Sequence, residues 1–162
     1  MDTHDFIARY GGVYEHSPWV AEQVATLATD IDDASTLGAL MADCVDNAAV
    51  EQQLELIRAH PDLAGKAQVA GELTPESAVE QAGAGLDQCS PDEFERFQDL
   101  NAAYWDKFGF PFVMAVRGHD RMSILDKFAS RLENDYDLEF ETALVEIHKI
   151  ARHRLDAMGN ST

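Results

Sequence analysis

Lysine is scarce in this chain of 162 residues. Lys66, Lys107, Lys127 and Lys149 are the only four, and with the arginines they make twelve cations against thirty carboxylates. The formal charge of −18 argues against a nucleic-acid partner and against an anionic membrane surface, because both need cations to meet phosphates. Cysteine is also rare: Cys44 and Cys89 stand alone, too few for a disulfide scaffold in a chain this long. Cys44 falls within an apolar helical pattern and reads as a small buried hydrophobe. No apolar run reaches the length of a bilayer span. "MDTHDFIARY" lacks the basic start and apolar core of a secretory leader, and the closing "GNST" carries no prenylation, retention or peroxisomal signal. The expectation is a cytoplasmic protein without membrane or nucleic-acid partners.

Several catalytic signatures are missing too. There is no HExxH and no CxxC, and among the six histidines His148 and His153 are five apart, off a common helical face. The sequence therefore predicts no metal site. No G-x-S-x-G nucleophile elbow occurs, and neither cysteine has an electropositive setting. "AGAGL" lacks both the spacing of a phosphate-binding loop and a strand before it.

What is present is an apolar fraction of 46%, enough for one globular domain over residues 1–162, patterned almost throughout for helix. Apolar residues recur at the 3.6 period in segments near 3–10, 34–46, 48–59, 121–133 and 138–158. Helix starts carry their own signals: Ser17 with Pro18, Thr74 with Pro75, and Ser90 with Pro91 and Glu93 as a capping box. The stripes are Leu37, Leu40, Met41 and Cys44; Val50, Leu54 and Ile57, with Leu56 as a further candidate; and Phe94, Phe97, Leu100, either Ala103 or Tyr104, and Phe108. The predicted fold is an all-α single-domain bundle. One stretch departs from it. "FGFPFVMAVRG" (108–118) is apolar, contains Pro111 and ends at Gly118, so an ordinary helix interior is forbidden. It reads as an extended segment near 110–116, either a structural crossover or a stretch whose unpaired N–H and C=O groups receive a ligand.

Two further groupings carry chemistry. In "IRAHPDLAGK" (57–66) a helix must end at or before His60, because a residue ahead of proline is pushed out of the α region. The imidazole then stands at a helix end, either as a cap or as an acid–base group. In "SAVEQ" (77–81), Ser77, Glu80 and Gln81 lie on one helical face. That face is either solvated or a set of donors and acceptors for a polar ligand rich in amides.

Taken together, "YGGVYEHSPWVAE" (10–22), "AHPDLAGK" (59–66), "SAVEQAGAGL" (77–86), "FQDLNAAYWDKFGFPFVMAVRG" (97–118) and "EIHKIARHRL" (146–155) resemble the 2-oxo-4-hydroxy-4-carboxy-5-ureidoimidazoline (OHCU) decarboxylases of urate degradation. The resemblance covers nearly the whole chain. It implies His60 and Glu80 as catalytic residues, Ser77 and Gln81 as substrate-binding, Pro61 as a lining residue, and backbone contacts from Phe112, Val113, Met114, Ala115 and Val116. A C-terminal-helix arginine of the family falls on Arg154, with Arg152 as the competing neighbour. It further implies a small-molecule substrate, decarboxylation to (S)-allantoin, a homodimer, and urate oxidase and hydroxyisourate hydrolase as pathway neighbours. No cofactor is implied, since the substrate ring can itself take up the electron pair that CO2 leaves behind. Two other readings stay open: a non-catalytic helical binding module, and a decarboxylase of a related hydroxy-carboxy heterocycle.

The acids are dispersed, from Asp30, Asp32 and Asp33 through Asp92, Glu93 and Glu95 to the run between Glu133 and Glu141. A solvated carboxylate shell on every face suits either a saline interior or an ordinary acidic protein. Self-repulsion of this kind is screened within about 3 Å at molar salt. The melting temperature is therefore expected to rise from low to molar KCl, and a flat or falling series would count against an electrostatic penalty.

Overall fold

The computed structural model describes residues 1–27, 29–31, 33–65 and 70–159; Ala28, Asp32, residues 66–69 and the closing Asn160, Ser161 and Thr162 lie outside them. Among the described residues there are eight α-helices and no strand, as the periodicity predicts. They are α1 (Thr3–Tyr10), α2 (Trp19–Ala25), α3 (Ala34–Asp46), α4 (Val50–Arg58), α5 (Pro75–Gly83), α6 (Pro91–Phe108), α7 (Arg121–Leu132) and α8 (Tyr136–Met158). A short 3-10 turn, Leu86–Gln88, follows α5. None of the helices is long and apolar enough to cross a membrane. The chain packs as two compact units, one formed by Met1–His60 with the chain from Leu144 on, the other by Pro61–Ala143.

The helix starts largely follow the cap chemistry. Thr74 Oγ1 accepts from the Ser77 N–H at 3.2 Å with proline at the first position of α5. Ser90 Oγ accepts from the Glu93 N–H at 3.1 Å while Glu93 Oε1 accepts from the Ser90 N–H at 2.8 Å, a reciprocal capping box. Part of the acid excess serves the same purpose, since Asp2, Asp33 and Asp120 cap α1, α3 and α7. Ser17 departs from its predicted role. It does not cap α2, which starts at Trp19 with Pro18 as the flanking residue. Its Oγ donates instead to the Glu15 carbonyl at 3.1 Å. At the other end of α6, Gly109 adopts φ 75° and returns its N–H to the Trp105 carbonyl at 2.8 Å, a left-handed cap that costs glycine little.

In the first unit α1 packs on α2 and α2 on α3. The core holds Phe6, Tyr10, Val20, Val24, Leu37, Met41, Ile57 and, from α8, Ile147, Ala151 and Leu155. Two expectations shift here. Cys44 is half-buried rather than core, and its thiol pKa is raised by burial and then by Asp43, which leaves it unreactive. Val50 is exposed; α4 buries Gln53, Leu56 and Ile57, and Gln53 Nε2 donates to the Val45 and Asp46 carbonyls at 2.9 and 3.3 Å, satisfying the end of α3.

The second unit is built on aromatic rings. Phe112 stacks on Phe128 with centroids 3.9 Å apart, and Tyr104 meets Phe112 and Phe128 edge-on at 5.5 and 5.8 Å. Among these rings lies a charge pair that the sequence pattern did not reveal. Arg131 Nε donates to Glu139 Oε1 at 2.8 Å, with side chains 5% and 0% exposed. Tyr104 donates its hydroxyl to the same oxygen at 2.6 Å, and Asn134 Nδ2 to Glu139 Oε2 at 2.9 Å. Burial, then the Glu139 bond, raises the Tyr104 pKa, so the phenol stays a donor. Removing one partner of such a pair strands a buried charge, at a cost of about 3–5 kcal/mol. Glu139→Ala is expected to lower stability by about that amount in urea unfolding, and Glu139→Gln by less, because the amide oxygen still accepts.

Candidate active site

The buried face of α4 runs on past its last residue. Gln53, Leu56, Ile57 and His60 follow i, i+3, i+4 and i+7, so the imidazole continues the stripe inward and is only 8% exposed. Its Nδ1 lies 3.1 Å from the Leu56 carbonyl oxygen. A carbonyl can only accept, so Nδ1 carries the proton and Nε2 of the neutral ring carries the lone pair. Burial pushes the pKa down to about 4; Arg154 and His16 push the same way, while the Leu56 carbonyl and Glu15 oppose. A helix C-terminus favours a cation, yet here desolvation wins and the ring is uncharged at neutral pH.

Arg154 of α8 shares this neighbourhood in the first unit. It is 6% exposed, and its Nη1 donates to the Gly12 carbonyl at 3.1 Å, the Val13 carbonyl at 3.5 Å and Glu15 Oε1 at 3.1 Å. Arg152 is exposed and pairs with Asp156 one turn on. Of the two candidate arginines, the one near His60 is therefore Arg154. Glu15 is 2% exposed. Beside it, Tyr14 donates its hydroxyl towards His148 Nδ1 at 2.7 Å, and His148 Nε2 meets Asp46 Oδ1 at 2.9 Å. This relay ties the Tyr14–Glu15 turn to α8 and α3.

The second unit begins at Pro61 with a loop whose main chain is held by side chains. Gln81 of α5, 3% exposed, accepts the Ala64 N–H at 3.0 Å and donates to the Asp62 carbonyl at 3.2 Å. Gln98, Asn101 and Trp105 stand at i, i+3 and i+7 of α6. They donate to the Ala64 carbonyl (2.9 Å), the Leu63 carbonyl (3.0 Å) and Asp62 Oδ1 (3.0 Å). Ala64 adopts φ 50°, a strained value for a residue with a side chain. Gly65 is required by contact, since a Cβ there would meet Asp62 Cβ at 2.7 Å. Gln81 thus spends both ends of its amide on the loop. Ser77 is buried and Glu80 half-buried on the same helix.

The apolar stretch is neither helix nor strand, and Phe110 to Val116 are all buried. Its backbone is met in part by Arg131, whose Nη1 donates to the Val113 carbonyl at 2.7 Å while the guanidinium lies 4.3 Å from the Phe112 ring centre. The Val116 carbonyl accepts from the His119 N–H at 2.9 Å. Among the described residues no group of three or more His, Cys, Asp or Glu is placed to hold a metal ion.

The sequence profile described as OHCU decarboxylase matches residues 1–156. The chain belongs to the OHCU decarboxylase family. The 2-oxo-4-hydroxy-4-carboxy-5-ureidoimidazoline decarboxylase of Haloferax volcanii is 42% identical over 155 residues, 96% of this chain and 89% of that protein. A crystal structure of (S)-allantoin synthase aligns with a TM-score of 0.77 at 34% identity, over 97% of this chain and 50% of that one. A crystal structure of OHCU decarboxylase in the presence of (S)-allantoin shares the fold, with a TM-score of 0.72 at 23% identity over 91% of this chain and 95% of that one.

The buried hydrogen bonds and ion pairs bring out residues that the sequence pattern did not mark. Glu15 lies inside the quoted "YEHSPW" but has no periodicity to mark it. Gln98, Asn101 and Trp105 did leave a signal: polar atoms at i, i+3 and i+7 beside the apolar stripe of α6 announce that something polar packs there.

The depressed pKa of His60 has a stability signature. Between about pH 6.5 and 4 the unfolded chain binds a proton at this position that the folded chain does not, so folding is favoured above that window and loses ground as pH falls through it. The stability of the wild type relative to His60→Asn is expected to fall from pH 6.5 to 4. A difference constant with pH, measured by urea unfolding, would mean an ordinary exposed-type histidine.

Proposed function

We propose that this protein decarboxylates OHCU to (S)-allantoin, as a carboxy-lyase of urate degradation. The observation that carries the reading is the buried neutral imidazole of His60, with its lone pair fixed on Nε2, in a chain that belongs to this family.

The substrate carries its carboxylate and a hydroxyl on one ring carbon, next to the imine carbon that bears the ureido group. When the bond to the carboxylate breaks, CO2 departs and the electron pair moves into the C=N bond. The ring nitrogen takes one proton from solvent. The intermediate then needs its hydroxyl proton removed, so that the carbonyl forms, and a proton placed on the ureido-bearing carbon. A neutral imidazole does both in turn: Nε2 accepts the hydroxyl proton and returns it to carbon on one face. An imidazolium could not start this sequence, which is why burial of His60 matters to chemistry.

Arg154, with its planar fork, is the reading for the substrate carboxylate. Glu80 is assigned to the ureido N–H groups or to the imidazolium, Ser77 and Gln81 to the ring and ureido amides, and Pro61 and the backbone of Phe112, Val113, Met114, Ala115 and Val116 to the ring's edges. Gln81 acts on this view partly through the loop that it holds. We read residues 1–162 as one catalytic domain, working as a cytoplasmic homodimer downstream of urate oxidase and hydroxyisourate hydrolase. The saline interior belongs to the same reading. The electron sink is in the substrate, so no organic cofactor or metal is called for.

The test is coupled turnover on OHCU freshly generated by those two enzymes, corrected for spontaneous decay, with chiral detection of allantoin. Full activity is expected after exhaustive chelation. Folded His60→Asn should lose about 10²–10⁴-fold in kcat/KM. If His60 and Glu80 act as one unit, the double variant should be little worse than the poorer single one. Absence of enantiomeric excess, or wild-type turnover in folded His60→Asn, would refute the mechanism.

A further inference from the structure

Glu15 is a buried carboxylate to which the chemistry above gives no part. The turn between α1 and α2 is built to carry it inward. His16 takes the left-handed φ of 50°. The Ser17 N–H donates to the Tyr14 carbonyl at 3.0 Å and Ser17 Oγ to the Glu15 carbonyl at 3.1 Å. Glu15 Oε1 then meets Arg154 Nη1 at 3.1 Å, with the two side chains 2% and 5% exposed. Burying two opposite charges is expensive even when they pair, and well-packed apolar residues in their place are often as stable or more so, so the pair calls for another account.

That account rests on the reading in which Arg154 receives the substrate carboxylate. A full, uncompensated cation there would hold the carboxylate most tightly while its charge is still localised. It would lose that attraction as the electron pair moves into the ring. Such binding stabilises the ground state more than the transition state and slows the chemical step. A guanidinium already paired with Glu15, and hydrogen-bonded to the Gly12 and Val13 carbonyls, is held in a fixed orientation with its net charge cancelled. We infer that Glu15 is a positioning residue, acting through Arg154: it aims the guanidinium and removes its net charge, so that the substrate carboxylate is oriented without being over-bound.

The test uses the full chain with Glu15→Gln, which keeps an acceptor oxygen at the same reach, and Glu15→Asp, which keeps the charge on a shorter arm. Glu15→Gln is expected to lower KM and kcat together, each by roughly tenfold, and Glu15→Asp to recover part of both. A merely structural role would lower kcat with KM unchanged or raised, and that result overturns the inference. Equilibrium binding decides the matter without turnover. Hydantoin-5-acetate and uncharged hydantoin are titrated against each variant by calorimetry. Preference for the carboxylate over the neutral ring should rise about tenfold in Glu15→Gln. No rise, through equal binding or through none, overturns the inference. Wild-type failure on OHCU itself is read separately, in the coupled assay, and counts against the proposed reaction alone.

Discussion

A buried main-chain polar group outside a helix needs a partner, and with no strand among the described residues much of that pairing falls to side chains. Two non-helical stretches of this chain lie under that constraint, and both fall within the stretches "AHPDLAGK" and "FGFPFVMAVRG". The Asp62–Gly65 loop is met by Gln81, Gln98, Asn101 and Trp105. The Phe110–Val116 stretch is met at the Val113 carbonyl by Arg131. Arg131 must itself be neutralised where it lies, which brings in Glu139, and Glu139 brings in Tyr104 and Asn134. A large share of the buried polar inventory of the second unit thus follows from keeping two stretches of backbone out of helix.

The first unit works with charge rather than with backbone. Its imidazole is kept neutral by burial, with the Leu56 carbonyl selecting the tautomer. Arg154 and Glu15 are buried as a pair beside it. Glu15 favours the protonated ring and Arg154 opposes it. The two act in opposite directions, desolvation is the largest influence, and a neutral imidazole results. Pro61 has a part in this, because the residue ahead of a proline is pushed out of the α region; α4 ends at Arg58, and the buried stripe closes on His60 just beyond it.

The helices were legible because their signals are local: caps at Thr74 and Ser90 and a 3.6-residue stripe. The irregular stretch was legible from Pro111. Registers were read less well where a polar residue occupies a buried position. Gln53, Asn101, Arg131, Glu139 and Arg154 all lie on inward faces, and an apolar count passes over each of them. Glu15 shows the limit most clearly. Its burial depends on the left-handed turn at His16 and on an arginine 139 residues away in sequence, and no window along the chain contains both. His60, Glu80, Ser77 and Gln81 were named through resemblance to a family, since spacing alone left each with a bland alternative.

The same two ion pairs bear on the surface charge. Arg131–Glu139 and Arg154–Glu15 are each neutral and each buried, so the whole formal −18 lies outside them. An anionic substrate must approach through that field, and at low ionic strength, where the Debye length exceeds about 10 Å, the repulsion acts well before any arginine can. In molar salt the field is cut to about 3 Å, while a buried guanidinium is screened little. Salt then removes the long-range penalty and leaves the short-range recognition. A protein that buries two of its cations in ion pairs and carries its excess acid outside them has separated the two electrostatic scales.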